Sequence, residues 1–455
     1  LNERTEVWKN VLNNKESASI IVGARSSVFL PFKRLGLIII DEEHESSYKQ
    51  FDPNPRYNAR DCGIYLGNKI GAKVVLGSAT PSIESSQNAR QGKYGWVKLK
   101  ERYGGIELPE IKIINLKESF EKKEMDGVFS NILIKEINKT LENNHQIILF
   151  QNRRGYSPIL ECLSCGYVPQ CIQCDVSLTY HQVSNQLRCH YCDYNRLKPK
   201  QCDSCGMFSL ESKGIGTQQI QEQVIKLFPE VNVERMDYDN TRGKYAFDKI
   251  IDSFSNKKIQ ILVGTQMLIK GLDFKNVQLV GVLNADHLIN FPDFRSYERT
   301  YQMLCQVSGR AGRYKERGKV FLQTFQCENE LFKQVKDYDY ESMFKNQKIE
   351  RKQYKYPPFI KLIRVTFKNK SISSVNESAQ WFYNVLKQNY NGTILGPVFP
   401  YISKIRNLFQ KQLLIKIDSD LNQVQTKKII NKTTSSFNSI AKYRSTKLIF
   451  DVDPY

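Results

Sequence analysis

Short apolar runs that end in polar or small residues recur along this chain and set its first reading. In the first part, "ASIIVGA" (18–24), "LGLIIID" (35–41) and "AKVVLGSAT" (72–80) are β-branched and bounded by polar residues, which predicts buried parallel strands. The theme repeats in "QIILFQN" (146–152), "VNVERMD" (231–237), "IQILVGT" (259–265), "VQLVGVLNAD" (277–286) and "GKVFLQT" (318–324). Stretches such as 215–228 and 294–307 lie between them and predict helices. The alternation predicts two α/β sheets, with ligands at the carboxyl ends of their strands. From about residue 345 the pattern changes. Strands at 360–368, 412–418 and 447–453 alternate with helices near 374–390 and 420–439, a split α+β arrangement.

The strand ends carry the candidate chemistry. The run 35–41 leads directly into Asp41, Glu42, Glu43 and His44. An apolar strand ending in Asp-Glu is the Walker B arrangement, in which the Asp holds Mg²⁺ and the Glu activates the water that attacks a γ-phosphate. Alone, such a cluster reads equally well as an acidic turn. It gains weight from "GSATP" (77–81) at the end of another strand and from "QVSGRAGR" (306–313). The latter offers Gln306, Arg310 and Arg313, and the two arginines share a face if the turn is helical. Such arginines neutralise charge on a transferred phosphoryl group. Singly, each reads as a surface salt bridge; the three motifs in order do not.

The cysteines add a second chemistry. Eight of the eleven fall in 44 residues, as Cys162, Cys165, Cys171, Cys174, Cys189, Cys192, Cys202 and Cys205. Four C-x-x-C pairs supply thiolates for two tetrahedral zinc ions, each closed and therefore structural. Spacing does not fix the pairing. A nested arrangement is favoured, with Cys171, Cys174, Cys189 and Cys192 inside and Cys162, Cys165, Cys202 and Cys205 at the base, and an interleaved one stays open. Cys62, Cys305 and Cys327 are isolated and read as core residues.

Composition narrows the partners. The chain has 455 residues, room for about three domains, with 40% apolar and 25% charged residues, as in globular proteins. No run approaches the roughly 18 apolar residues of a membrane span, and no signal-like start suggests secretion. The net charge is +20, and residues 355–455 hold sixteen Lys/Arg against five Asp/Glu, a net of +11. That skew points to a polyanion, with nucleic acid the default.

Together these motifs resemble superfamily 2 helicases with a DExH box at 41–44. Ser78, Ala79 and Thr80 resemble motif III, "GTQMLIKGLDF" (264–274) motif V, and 306–313 motif VI. The eight-cysteine insert between "FQNRRGYSP" (150–158) and "GIGTQQIQEQV" (214–224), "FPDFRSYERTYQMLCQVSGRAGR" (291–313) and the terminal "FDVDP" (450–454) narrow the resemblance to the replication-restart helicases of the primosome. It extends over essentially the whole chain.

The resemblance implies two RecA-like lobes, the first incomplete, a double zinc ribbon with nested pairing inserted in the second, and an α+β C-terminal domain. The expected divisions are 1–115 for the first lobe, 116–161 with 206–344 for the second, 162–205 for the insert and 345–455 for the C-terminal domain. It implies an ATP- and Mg²⁺-dependent 3′-to-5′ DNA helicase that recognises stalled forks and initiates primosome assembly. Implied partners are forked and single-stranded DNA, primosome proteins, single-stranded-DNA-binding protein and the loader of the replicative helicase, in the bacterial cytoplasm at the nucleoid and with no membrane.

Residue by residue, the resemblance gives Asp41 the Mg²⁺ ligand and Glu42 the water-activating base. His44 couples hydrolysis to motion with Ser78 and Thr80. Gly271, Asp273 and Gln306 approach the nucleotide, and Arg310 and Arg313 its phosphates. The stretch 46–61 resembles the family's aromatic-rich loop, which senses DNA. There Tyr48, Phe51 and Tyr57 interleave with Lys49, Arg56 and Arg60, so rings stack on bases while cations hold phosphates. The alternative is that these rings pack on their own domain. Arg25 and Ser26 in "GARSSVFLPF" resemble a first-lobe DNA motif. Arg153 and Arg154 could do likewise or pair with nearby acids, Gln266 is a weaker candidate, and Lys404, Arg406, Lys442 and Arg444 are candidate phosphate contacts.

Two departures matter. Lys275 stands where the family usually has proline after "GLDF". More important, no G-x-x-x-x-G-K-[ST] phosphate loop occurs; "GNKIGAK" (67–73) lacks the hydroxyl residue and precedes a strand. The chain is thus expected to be the carboxyl-terminal part of a longer protein and to hydrolyse little ATP alone. The rival reading is a non-enzymatic, zinc-dependent DNA-binding scaffold on a degenerate helicase frame.

Overall fold

The computed structural model describes the chain except residues 1, 100, 102–104, 152–158, 163, 173–175, 182–183, 190–191, 212–215, 238–239, 242, 244, 269–271, 273, 313–316, 419–422 and 455. It divides into two units. One comprises Leu1–Trp96, Pro357–Ile394 and Gln412–Tyr455, the other Val97–Tyr356 and Leu395–Lys411.

In the first unit, strands Leu37–Ile40 and Lys73–Leu76 run parallel, joined by the helix Ala59–Ile70. The helix starts where the Asn58 side chain accepts the Arg60 N–H and stops at Gly71 in the left-handed region. Gly67 lets it lie against the sheet, since a Cβ there would meet Val74 Cγ2 at 2.4 Å. The expected strand at 18–24 is not formed; Ile20 and Val22 are 84% and 96% exposed. An apolar run becomes a strand only where an edge accepts its backbone hydrogen bonds. Among the described residues, Leu37–Ile40 and Lys73–Leu76 pair only with each other, so both outer edges of that pair stay open and the run 18–24 occupies neither.

The same unit holds the split α+β pattern. Strand Ile360–Asn369 pairs antiparallel with Lys447–Val452, and the strand Leu408–Asp418, in this unit from Gln412 on, joins their sheet. Helices Ile372–Asn389 and Gln423–Ser439 supply its core, where Phe437 lies 6.1 Å from Phe367 and 6.0 Å from Phe382, ring centre to ring centre.

The second unit is built on six parallel strands in the order Val233–Met236, Ile261–Gly264, Gln146–Phe150, Val277–Val282, Lys319–Thr324, Glu110–Asn115. Leu133, Ile137, Ile147, Leu149, Ile220 and Val263 are among its buried core. Two expected boundaries shift. Glu110–Asn115 belongs to this sheet although it precedes residue 116, and the helix Tyr340–Gln353 runs through residue 345. Backbone pairing and helix continuity set these limits, and neither follows composition. The insert keeps its own small ribbons, Glu161–Cys162 with Leu210–Glu211 at its base and an antiparallel sheet of Thr179–His181, Gln186–Arg188 and Asn195–Leu197 within. No helix among the described residues is long and apolar enough to cross a membrane.

Candidate active site and metal centres

The acidic turn follows the strand Leu37–Ile40 directly. Asp41 is exposed, and its Oδ1 accepts the Glu42 N–H at 3.0 Å. Glu42 takes a φ of 47°, left-handed and uncommon for a residue with a side chain, so the turn is held by its surroundings. The neighbouring strand provides them: Gly77 accepts the Glu43 N–H at 3.0 Å and donates to Ile40 O at 2.9 Å. Beside it, His44 Nδ1 lies 2.7 Å from Ser78 Oγ, and Ser78 Oγ accepts the Thr80 N–H at 3.0 Å. Among the described residues none donates a hydrogen bond to Glu42 Oε2, which sits 3.6 Å from His44 Nδ1. Two stretches that the sequence separates by about 35 residues thus form one polar surface. An exposed Asp beside a Glu with an unengaged oxygen is a donor set that fits a nucleotide-bound divalent cation and its attacking water.

Glu43 has a different task, which the sequence did not separate from its neighbours. It is buried and accepts from Arg60 Nη1 at 2.9 Å, Ser82 N at 2.6 Å, Ser82 Oγ at 3.1 Å and Ser85 Oγ at 2.8 Å. Ser82 caps the helix Ile83–Arg90, so the third carboxylate ties the acidic turn to that helix. Arg60, placed among the loop cations from sequence, is therefore a structural partner.

The loop after the box departs most from expectation. Lys49 is 2% exposed; its Nζ lies 2.8 Å from Asp451 Oδ1 and donates to Val452 O at 2.6 Å. Arg56 Nη1 donates to Asp451 Oδ2 at 3.2 Å. In this arrangement neither cation is placed for a phosphate, because a buried carboxylate holds both. Tyr48 donates its hydroxyl to Asp41 O at 2.6 Å, and burial, then the charge of Asp41, pushes its phenol pKa up and keeps it a donor. Tyr57 packs edge-on to Phe29 at 4.7 Å, so this ring takes the own-domain alternative. Arg25 Nη1 donates to Ser47 O and Lys49 O, both at 3.2 Å, bracing the loop. Ser26 and Phe51 remain exposed.

In the second unit, Gln306 lies in the last turn of the helix Ser296–Ser308, and Gly309 ends it. Arg310 is past that end, so the helical face expected for Arg310 and Arg313 is not formed by Arg310; its Nη1 donates to Leu272 O. Gln266 Nε2 meets Met303 Sδ at 3.8 Å, and Lys275, at the departure after "GLDF", is described with it in this unit. Gly271, Asp273, Arg313, Arg153 and Arg154 lie outside the described residues. Lys404 sits over the Phe409 ring at 4.9 Å, Arg406 and Arg444 are exposed, and Lys442 pairs with Glu377 at 2.5 Å.

The insert brings its thiols together in nested order. The sulfurs of Cys162, Cys165, Cys202 and Cys205 all lie within 4.8 Å of one another, as do those of Cys171, Cys189 and Cys192; Cys174 lies outside the described residues. Each described pair opens a tight knuckle. Gly166 N donates to Cys162 O, Asp193 N to Cys189 O and Gly206 N to Cys202 O, with φ of 72°, 66° and 73°. The residue after each second cysteine is Gly, Asp, Asp and Gly in turn, types that tolerate the left-handed region. A preformed sulfur quartet fits a tetrahedral structural zinc ion, with Cys162, Cys165, Cys202 and Cys205 to hold it. The isolated cysteines Cys62, Cys305 and Cys327 are half-buried, not full core residues, and burial pushes the Cys305 thiol up to about 12.

Two buried arrangements had no sequence signal. Glu161, next to the first knuckle, is buried near Asp286; burial raises both carboxyl pKa values, the Asp286 charge adds to the rise at Glu161, and hydrogen bonds from Phe325 and Thr324 oppose the rise at Asp286. Thr324 Oγ1 and the Phe325 N–H donate to Asp286 at 2.7 and 2.8 Å. Farther on, Arg351 Nη2 donates to Glu298 Oε2 at 2.5 Å, both buried; the Arg351 guanidinium lies over the Phe294 ring at 5.4 Å, and that ring stacks with Tyr356 at 4.2 Å.

A parallel α/β lobe interrupted by cysteine knuckles is a helicase-type lobe with a zinc-ribbon insertion, and residues 200–315 match the helicase conserved C-terminal domain. Residues 171–196 match the PriA DNA helicase Cys-rich region domain and 352–455 the primosomal protein N C-terminal domain. The chain is 37% identical to the replication restart protein PriA of Rickettsia felis, covering 99% of this chain and 68% of that one. It is 38% identical to that of Bacillus subtilis over its whole length, and 35% to that of Chlamydia pneumoniae over 99% of it. The chain belongs to the replication restart protein PriA family. It spans 56% of the Bacillus subtilis relative and 60% of the Chlamydia pneumoniae one.

Proposed function

We propose that this chain is the greater part of an ATP-driven 3′-to-5′ DNA helicase that acts at stalled replication forks and starts primosome assembly there. Family membership and the helicase conserved C-terminal domain support the class. The observation that carries the hydrolytic reading is the contact of His44 with Ser78 at 2.7 Å, which joins the acidic turn to the Ser-Ala-Thr turn.

In this reading Asp41 holds the divalent cation of the nucleotide, and Glu42 accepts the proton of the attacking water. His44 passes movement of that turn to Ser78 and Thr80. Gly271, Asp273 and Gln306 approach the nucleotide, while Arg310 and Arg313 offset charge on the phosphoryl group. Cys162, Cys165, Cys202 and Cys205 would hold one zinc ion and the inner cysteines a second, which would keep the insert folded and supply no open position for chemistry. The expected division at 162–205 separates that insert, and the one expected at 345, moved past the helix that ends at Gln353, opens the basic C-terminal domain. DNA contact falls to Ser26, Phe51 and the exposed C-terminal cations. Arg153 and Arg154 are proposed with them. The partners in this reading are forked and single-stranded DNA, single-stranded-DNA-binding protein, primosome proteins and the replicative helicase loader, on nucleoid DNA in the cytoplasm.

The 455 residues contain no G-x-x-x-x-G-K-[ST], so the β- and γ-phosphates have no cradle of that type among them, and the isolated chain is proposed to hydrolyse little ATP. Unwinding of forks with a 3′ or a 5′ single-stranded tail, by the polypeptide in its full reading frame, tests the polarity. Equal unwinding of both, or of the 5′-tailed fork only, contradicts it.

A further inference from the structure

We propose that Asp451, on the C-terminal strand, is a positioning residue for the acidic turn: it holds the loop 46–58, and through Tyr48 the backbone of Asp41, so that DNA stimulation of hydrolysis passes through it. The inference rests on the hydrolytic reading above and adds a residue to it.

The contacts form one continuous chain. Asp451 is buried in the strand Lys447–Val452, and its two carboxylate oxygens face two cations of the loop, Lys49 at 2.8 Å and Arg56 at 3.2 Å. Lys49 also donates to Val452 O, its partner by hydrogen bond across 403 positions of sequence. Between the two cations the loop is a closed piece. Gln50 N donates to Tyr57 O at 2.8 Å, Lys49 bridges Asn58, and Gln50 Nε2 donates to Pro53 O and Pro55 O. The residue next to Lys49 is Tyr48, whose hydroxyl reaches Asp41 O at 2.6 Å.

Charge explains why one carboxylate governs the loop. A buried ammonium is tolerated only when paired, and breaking a buried pair leaves a charge that must return to water. Without the Asp451 carboxylate, Lys49 and Arg56 repel each other, Lys49 leaves its site, and Tyr48 follows. The turn at Asp41 then loses a brace while its side chains stay intact. A polyanion that engages the exposed Phe51 or the basic C-terminal surface pulls on the same link.

Two measurements test this. In the full-reading-frame protein, Asp451→Asn is expected to keep its zinc and its DNA-free hydrolysis rate within about twofold. Its maximal stimulation by single-stranded DNA is expected to fall about tenfold in kcat, with Asp451→Glu restoring part of it. Wild-type stimulation in Asp451→Asn overturns the proposal. In the 455-residue chain itself, amide exchange at Gln50 is expected to rise about tenfold in Asp451→Asn, with the helix Ala59–Ile70 unchanged. Unchanged exchange at Gln50 also overturns it. Should Asp451→Asn fail to fold, Arg56→Gln, which spares the Lys49 pair, is expected to raise the same exchange by a smaller factor, and no rise again overturns the proposal. Absence of DNA-stimulated hydrolysis in the wild type would instead remove the hydrolytic reading, and the exchange result would still decide the loop anchor.

Discussion

Glu43 of the DExH turn and Arg60 of the helix Ala59–Ile70 form a buried ion pair 2.9 Å long, flanked by Ser82 and Ser85. Removing one partner strands the other charge out of water. Arg60→Met is therefore expected to cost about 3 kcal/mol in urea unfolding of the 455-residue chain. Adding Glu43→Gln should recover part of that loss, because the pair is coupled. Equal stability of Arg60→Met and the parent would contradict the pairing.

Ser78 Oγ has two partners: it lies 2.7 Å from His44 Nδ1 and accepts the Thr80 N–H. Ser78→Ala removes both contacts and touches neither Asp41 nor Glu42. Hydrolysis by the full-reading-frame protein is expected to stay within a few-fold, while unwinding of forked DNA falls about tenfold. Equal loss in both assays would make Ser78 part of the hydrolytic step.

Metal removal should unfold the insert and leave the six-stranded sheet. The thiols must be ionised to bind, so zinc release by a chelator is expected to grow as pH falls. Two zincs per chain are expected, and Cys202→Ser should retain only the one held by the inner set. A colorimetric zinc titration reads both; two zincs in Cys202→Ser would contradict the nested assignment.

Arg351→Met is expected to lower stability by about 3 to 5 kcal/mol, because it leaves Glu298 buried without its cation and removes a stacked partner of Phe294. Glu298 lies at the start of the helix that ends near Arg310, so the same variant should shift the thermal transition of the second unit. A thermal melt followed by tryptophan-independent circular dichroism checks this, and an unchanged transition would sink it.

Much of the architecture was legible because its strands are β-branched runs and its thiols are spaced for metal. The pairing of Cys162 and Cys165 with Cys202 and Cys205 is the favoured nested one. What the sequence hid has a common cause, in that long-range burial decides the role. Lys49 and Arg56 look like phosphate ligands until Asp451 is seen beside them. Glu42 and Glu43 are the same residue type, one step apart on a tight turn, and only burial tells the base candidate from the structural acid. The run at 18–24 has the composition of a strand but pairs with no edge, whereas Glu110–Asn115, more polar, pairs with Lys319–Thr324.

The most direct test of the account is ATP hydrolysis by the full-reading-frame protein, wild type beside Glu42→Gln, with and without single-stranded DNA. The account predicts DNA-stimulated hydrolysis in the wild type and a loss of about a hundredfold or more in Glu42→Gln, with forked-DNA binding retained. Forked-DNA binding with no hydrolysis in either protein would contradict it and make the chain a zinc-dependent DNA scaffold.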